Sequence, residues 1–327
     1  MRAISLFSGG LDSMIAIKLI ADQGINVTAV HIKTGFGGTK DITNILEQRA
    51  NMAGADFKVI DVRQEYLQKI LFDPKYGYGK NFNPCIDCHG YMFKVAKGVM
   101  SELDASFVVT GEVLGQRPMS QRSDALQQVS KLADDIEDKL ILRPLCAKLM
   151  NPTTPEIEGW VDREKLLDIS GRSRERQLAL VKEYGWEEYE SPGGGCLLTE
   201  AHYSERIHEF ITHDNFELPD IELLKFGRHF RLPDGAKLVV GRNQEDNQGL
   251  QAISSSKYQV VKLPIAGPFS LMDKKATTQD RALAVKLAIT YAKSSVDEVY
   301  DVLIGEESFS TSPFATKQEA QAYFFNA

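Results

Sequence analysis

Ala3-Ile4-Ser5-Leu6-Phe7-Ser8-Gly9-Gly10-Leu11-Asp12-Ser13 is the stretch from which the rest of the chain is read. Five residues suited to a buried strand run into a glycine pair, and a helical pattern follows from Leu11 to about Asp22. Glycine lets the backbone turn tightly and come close to an anion. The N–H groups at the helix start, the helix dipole and the hydroxyls of Ser8 and Ser13 can then bind phosphate. Asp12 cannot usefully face phosphate on its own, so it is assigned to a Mg2+ ion that bridges to a nucleotide. The plainer alternative is a Gly-Ser turn capping a helix, and the order strand, SGGxDS, helix argues against it. No Gly-Lys-Ser/Thr occurs there, so this is not a Walker A loop.

Short apolar runs continue to alternate with helical patterns. Strands are expected at Asn26–Ile32, Phe57–Val62, Ser106–Gly111 and Lys139–Leu145, with a helix from roughly Asp41 to Met52. Such alternation predicts an α/β fold, a parallel sheet covered on both faces, with ligands at the carboxyl ends of its strands. Ser191-Pro192-Gly193-Gly194-Gly195-Cys196 is too glycine-dense for a regular element and is taken as the domain junction. The remainder reads as a smaller α+β domain, giving domains over 1–190 and 200–327.

The chain has 327 residues, 43% hydrophobic and 25% charged, enough for two ordinary cores. Its net charge of −7 argues against a generic nucleic-acid coat, though not against a local basic patch. No apolar run approaches the roughly 20 residues that span a bilayer. The start, MRAISLF, carries no long apolar signal-peptide region, so no membrane contact and a cytoplasmic location are expected.

In a reducing compartment the four cysteines point to metal or sulfur chemistry rather than disulfides. Cys85 and Cys88 stand in Asn83-Pro84-Cys85-Ile86-Asp87-Cys88-His89 at the start of a helix, where a thiol has a lowered pKa. Glycines before Cys196 could bring it to the nucleotide. Two chemistries fit the three residues. A persulfide on one cysteine could attack an activated carbon, with a second cysteine releasing the sulfur as a disulfide. Alternatively, Cys85, Cys88 and Cys196 could hold an iron–sulfur (4Fe–4S) cluster with one iron open to sulfide. The two-plus-one arrangement favours the cluster. A structural zinc site would need His89 or Cys146 as the fourth ligand, and Cys146, after an apolar strand, reads instead as core.

Ser8–Ser13 resembles the phosphate loop of the PP-loop ATP pyrophosphatases, which split ATP into AMP and pyrophosphate. The resemblance implies a Rossmann-like sheet of the adenine nucleotide α-hydrolase type. NPCIDCHGYMFK is similar to the PC-x-x-C element of the tRNA 2-thiouridylases. TGEVLGQRPMSQ with ILRPL is similar to the corresponding elements of the tRNA 4-thiouridine synthases. These likenesses cover most of residues 1–200. They imply that Gly111 and Gln116 line the nucleotide pocket, and His31, ending the second strand, is a further ATP contact. The glycine-rich context of Cys196 departs from both families, and the RNA-binding extension of the 4-thiouridine synthases is not seen before Ser8.

Between Ile221 and Lys262 seven Lys/Arg stand against four Asp/Glu. Lys225, Arg228, Arg231, Lys237 and Arg242 are interleaved with Phe226, His229, Phe230 and Tyr258, the combination that phosphate contact and base stacking require. GRHFRLPDGAKLVVGRNQEDNQGL resembles the NFACT-R-type RNA-binding domain. A second basic cluster, Arg172, Arg174 and Arg176 with Lys182, is expected on a helix that could guide an RNA backbone. Together these imply an enzyme that adenylates a uridine carbonyl of tRNA and replaces its oxygen with sulfur, 4-thiouridine before 2-thiouridine. Asp12, Cys85 and Cys196 would be catalytic, and a cysteine desulfurase or free sulfide would be the sulfur donor. A nitrogen ligase with a zinc site and a non-catalytic ATP-binding RNA-binding protein are the rival readings.

Overall fold

The computed structural model describes residues 1–189 and 195–325. Most of the glycine-rich stretch expected at the domain junction, Ser191 to Gly194, lies outside the described residues. The chain divides into two compact units, Met1–Thr199 and Glu200–Ala327.

The first unit runs β1 (Arg2–Leu6), α1 (Leu11–Ala21), β2 (Asn26–Lys33), α2 (Thr43–Ala53), β3 (Ala55–Asp61) and α3 (Arg63–Tyr66). It continues with α4 (Cys85–Gly98), β4 (Phe107–Thr110), α5 (Ser123–Leu132), β5 (Ile141–Leu142), α6 (Thr154–Ile157) and α7 (Glu175–Glu183). The five strands form one parallel sheet in the order β3-β2-β1-β4-β5. The α/β reading of the sequence is therefore correct. Strand β1 is central, with β2 on one side and β4 on the other, in register Leu6 to Val30 and Leu6 to Thr110. The chain leaves β1 toward one edge and later returns to β4 on the other side. This reversal opens a crevice at the carboxyl ends of β1 and β4.

Helix α1 is apolar around most of its circumference because Met14, Ile15, Ala16, Ile17 and Ile20 are all fully buried. They join Ala3, Phe7, Val27, Ala29, Phe107 and Val109 in one core. The expected fifth strand, Lys139–Leu145, shortens to Ile141–Leu142. Lys139 has a left-handed φ of 48°, and Arg143 leaves the ladder for a buried ion pair described below.

The second unit runs α8 (Ala201–His213), α9 (Leu218–Leu223), β6 (Arg228–Arg231), β7 (Lys237–Val240), α10 (Gln244–Gln251) and β8 (Tyr258–Lys262). After these come β9 (Ser270–Asp273), α11 (Thr278–Thr290), β10 (Tyr300–Ile304), β11 (Glu307–Thr311) and α12 (Lys317–Gln321). Its strands pair in the order β11-β10-β8-β9-β7-β6, antiparallel throughout, as expected of an α+β unit. Leu238, Val240, Met272 and Val302 on the sheet pack with Ala284, Leu287 and Ala288 of α11. Among the described residues no helix is long and apolar enough to cross a membrane.

Candidate functional site

The loop after β1 begins with Gly9 at φ +76°, a left-handed conformation costly for any residue with a Cβ. A Cβ there would also stand 2.3 Å from Leu46 Cδ2. Gly10 is the N-cap of α1, and no side chain caps that helix. Its first N–H groups therefore lack a side-chain acceptor, the condition under which a helix start takes an anion. The Ser13 hydroxyl instead donates to the Gly10 carbonyl at 2.7 Å, and the Gly10 N–H reaches Ser8 Oγ at 3.4 Å. Arg49 of α2 donates to the Gly9 carbonyl at 3.2 Å, bringing a cation to the loop.

Gly111, expected at the nucleotide pocket, follows β4 directly and packs against the backbone of α1. A Cβ on it would lie 2.5 Å from Ser13 N and from the Asp12 carbonyl carbon. Glycine is what lets the two strand ends close around one crevice. His31, at the end of β2, reaches the Phe7 carbonyl through Nδ1 at 3.0 Å. Burial lowers its pKa, partly offset by that hydrogen bond, so the ring is neutral at pH 7 and Nε2 can accept.

Asp12 is the best-furnished residue of the loop. Gln116 Nε2 donates to its Oδ2 at 2.7 Å, and Arg174 Nη2 lies 3.5 Å from the same oxygen. The other oxygen, Oδ1, is buried with no hydrogen-bond partner. A buried carboxylate oxygen without a donor suits a hard cation, and Mg2+ binds through one or two such oxygens. The residues present thus fit the ion expected at Asp12. Gln116 is itself oriented by Gln177, which is fully buried in α7 and donates to Gln116 Oε1 at 3.1 Å.

The expected arginine cluster is therefore corrected in two respects. Helix α7 starts only at Glu175, leaving Arg172 and Arg174 before it. Arg174 turns inward to Asp12, while Arg176 pairs with Asp168 at 2.6 Å on the surface. Inward packing of Gln177 and Val181 forces this split.

The CxxC segment opens α4 as expected, with Pro84 as its N-cap. Asn83 Nδ2 donates to Cys85 Sγ at 3.1 Å and contacts Met119 Sδ at 3.4 Å. This side chain links the first cysteine to the loop that carries Gln116. Cys196 enters the same region. The Leu197 N–H donates to the Phe36 carbonyl at 2.9 Å, and the Phe36 ring lies 5.9 Å from that of Tyr66. Burial raises the Tyr66 hydroxyl well above its usual pKa, and Cys88, Cys196 and Cys85 all add to the rise. Cys88 shares a hydrogen bond with Tyr66, and the charges of Cys196 and Cys85 are felt at the same hydroxyl.

One expectation about these thiols changes. Cys88 is not an activated thiol at a helix start, because burial pushes its pKa up to about 12 against a hydrogen bond from Tyr66. Among the described residues no group of three His, Cys, Asp or Glu side chains is gathered tightly enough to hold a metal ion. His89 and Cys146 do not complete a zinc set. His89 Nδ1 is 2.7 Å from Glu112 Oε1, and Cys146 is buried against the Glu112 carbonyl at 3.5 Å. The core assignment of Cys146 is correct, and burial raises its thiol pKa.

Glu112 and Arg143 were missed as a pair. Both belong to quoted segments, TGEVLGQ and ILRPL, and they are 4% and 5% exposed. Arg143 Nε donates to Glu112 Oε2 at 3.0 Å. Burial disfavours the Glu112 charge, but Arg143 and His89 overcome it and hold the carboxyl below its usual range. The pair ties β5 and α4 to the residue after Gly111. Charged residues beside apolar strand ends were the available signal.

In the second unit the basic, aromatic stretch is largely internal, another correction. Lys237 is 1% exposed and, with Arg231, donates to Glu209. Arg231 also reaches Asp214 at 2.9 Å, and Lys225 pairs with Glu222 at 2.9 Å. Phe226, His229, Phe230 and Tyr258 are buried rather than offered for stacking. Strands β6 and β7 are covered on both faces: the consecutive His229 and Phe230 are both buried, and so are all four residues of β7. Arg228 stacks on Tyr291 at 4.6 Å. Arg242, Lys262, Lys274, Lys275 and Lys293 remain exposed.

Comparison with known proteins fits this picture. Residues 1–153 match the family described as thiamine biosynthesis protein (ThiI), and residues 227–324 match the NFACT protein RNA binding domain. The chain resembles the tRNA thiouridylases, with an NFACT-type segment alongside. A probable tRNA sulfurtransferase of Thermococcus kodakarensis is 27% identical over 56% of this chain and 43% of its own length. The tRNA-specific 2-thiouridylase MnmA of Staphylococcus haemolyticus is 24% identical over 75% of this chain and 70% of that protein. A solved 4-thiouridine synthetase–RNA complex with bound ATP superposes with a TM-score of 0.41 at 18% identity, covering 68% of this chain and 52% of that one. The chain thus spans less than half the length of the sulfurtransferase it matches.

Proposed function

We propose that the protein is an ATP-dependent tRNA sulfurtransferase, with the unit Met1–Thr199 performing the chemistry and residues 200–327 contacting RNA. The observation that carries this reading is the loop at the β1–β4 crevice, whose chemistry suits phosphate and a cation. An uncapped helix start and a carboxylate with an unpartnered oxygen lie in the same unit as the three thiols. ATP phosphates would lie along Ser8–Ser13, with His31, Gly111 and Gln116 lining the pocket. Asp12 would hold Mg2+, which supplies charge neutralisation on the phosphates.

The uridine carbonyl oxygen attacks the α-phosphorus of ATP, and pyrophosphate leaves. A carbonyl oxygen is a poor leaving group, and as part of AMP it becomes a good one. The terminal sulfur of a persulfide on one cysteine then attacks the activated carbon and AMP departs. A second thiol attacks the enzyme-linked sulfur, forming a protein disulfide and releasing the thiouridine; a dithiol reductant resets the pair. Cys85 and Cys196 are assigned these two roles, and no step is routed through a cluster. The sulfur enters by transfer of the outer sulfur from a cysteine desulfurase persulfide, or from sulfide that attacks the protein disulfide and so forms one persulfide and one free thiol. 4-Thiouridine is the favoured product on the likeness of TGEVLGQRPMSQ to the 4-thiouridine synthases, with 2-thiouridine as the alternative.

The test is a reaction with α-labelled ATP and unmodified tRNA. AMP formation should depend on tRNA, and Cys196→Ser should keep it while losing thiolation. AMP formation that ignores tRNA but responds to a carboxylic acid with ammonia would refute the assignment.

A further inference from the structure

Arg174 stands on the one carboxylate of the phosphate loop, yet the basic side chain of such a loop is of most use on the phosphates. Both partners are largely enclosed, with side chains 18% and 16% exposed. The segment carrying Arg174 is fixed to the loop that carries Gln116. The Gly171 N–H donates to the Leu114 carbonyl at 2.8 Å, and Leu114 forms a bridge with Ser170. Gln177, one turn beyond Arg174, sets Gln116 so that its amide faces Asp12. Arg174 is thus held within side-chain reach of the loop by its backbone, while its contact to Asp12 is a single long one at 3.5 Å.

We infer that Arg174 is a phosphate ligand that rests on Asp12 when no nucleotide is bound and moves to the polyphosphate when Mg·ATP arrives. The inference rests on the reading of Ser8–Ser13 as the nucleotide site. The charge balance supports it. Without nucleotide, Arg174 and Gln116 offset the Asp12 carboxylate. With Mg·ATP, the metal takes over at Asp12, beginning with the unpartnered Oδ1, and the guanidinium finds new acceptors on phosphate oxygens. Arginine's forked donors suit phosphate in pairs, which a single 3.5 Å contact to Asp12 does not use. Arg174 therefore competes with the metal for Asp12 and cooperates with it once phosphate is present.

This competition predicts effects of opposite sign. Mg·ATP binding would be measured by titration calorimetry, and binding of Mn2+ alone by electron paramagnetic resonance, on the full chain. Arg174→Met should weaken Mg·ATP about tenfold or more, the loss expected for a charge-assisted contact to phosphate. The same variant should bind Mn2+ alone a few-fold more tightly, because Asp12 has lost its counter-ion. Arg174→Lys should recover part of the ATP affinity. An ATP affinity unchanged in Arg174→Met, or Mn2+ binding weakened in step with ATP, would overturn the inference and leave a packing role. Wild-type protein that fails to bind Mg·ATP would remove the nucleotide site itself, and this inference with it.

Discussion

Asp12 and Glu209 are both carboxylates facing an arginine in a largely enclosed setting, one in each unit, but they are completed differently. Glu209 receives Arg231 and Lys237 on its two oxygens, and Arg231 is further held by Asp214. Burial lowers the Lys237 pKa to about 8, yet the pairing still holds Glu209 below its usual range. Asp12 receives Gln116 and Arg174 on one oxygen and nothing on the other. Both oxygens of Glu209 are taken, and the unpartnered atom of that network is a donor, Arg231 Nη2. At Asp12 the unpartnered atom is a carboxylate oxygen at the open end of a parallel sheet, the kind of atom a cation can complete. Glu112 in the first unit belongs with Glu209, because His89 and Arg143 take both of its oxygens.

The sharpest way to break the comparison is to neutralise Asp12. Asp12→Asn should lower the rate of AMP formation by about 10²–10³-fold, the scale of losing a preorganised charge at a reacting phosphate, without lowering the melting temperature. A variant that retains full activity would place the metal elsewhere. The closed networks should respond the other way. Arg143→Met leaves Glu112 buried beside His89 alone and should cost about 3–5 kcal/mol of stability, read as a lower denaturant midpoint for the first unit. Lys237→Met should destabilise the second unit on a similar scale while leaving Mg·ATP affinity unchanged.

A smaller effect follows from His229, which is 4% exposed with its pKa pushed well below 6.5 by burial and by nearby Arg206 and Lys237. The unfolded chain takes up a proton on this ring below its ordinary pKa of about 6.5, and the folded protein does not. The second unit should therefore lose stability as pH falls from about 6.5, by up to about 1.4 kcal/mol per pH unit from this group. His229→Leu should flatten that slope between pH 6.5 and 5.5 in urea titrations. Smallest of all, Arg176→Ala breaks an exposed pair with Asp168 and should change stability by less than about 1 kcal/mol. Its contrast with Arg174, two residues away, separates a surface charge from a site charge.

The turn from β1 into α1 was legible in the sequence because it is local: strand, glycines, Asp12 and helix are contiguous. The sheet was legible for a related reason, since buried parallel strands appear as short apolar runs. Contacts between distant segments were not. Arg174 looked like one of three helix-surface arginines, and only the inward packing of Gln177 and Val181 shows which way it turns. In the second unit composition pointed to a basic face, but β6 and β7 are covered on both faces, which places Lys237, Phe230 and His229 inside. The cysteines lie between these cases. The CxxC spacing placed Cys85 and Cys88 at the start of a helix, whereas the burial that raises Cys88 depends on the tertiary packing around it.

Mass spectrometry of nucleosides from bulk tRNA, comparing cells with and without this protein, tests the central claim most directly. The account predicts selective loss of 4-thiouridine, restored by the wild-type chain but not by Asp12→Asn or Cys196→Ser. Thionucleosides that all persist in cells with no second enzyme of this kind would contradict it.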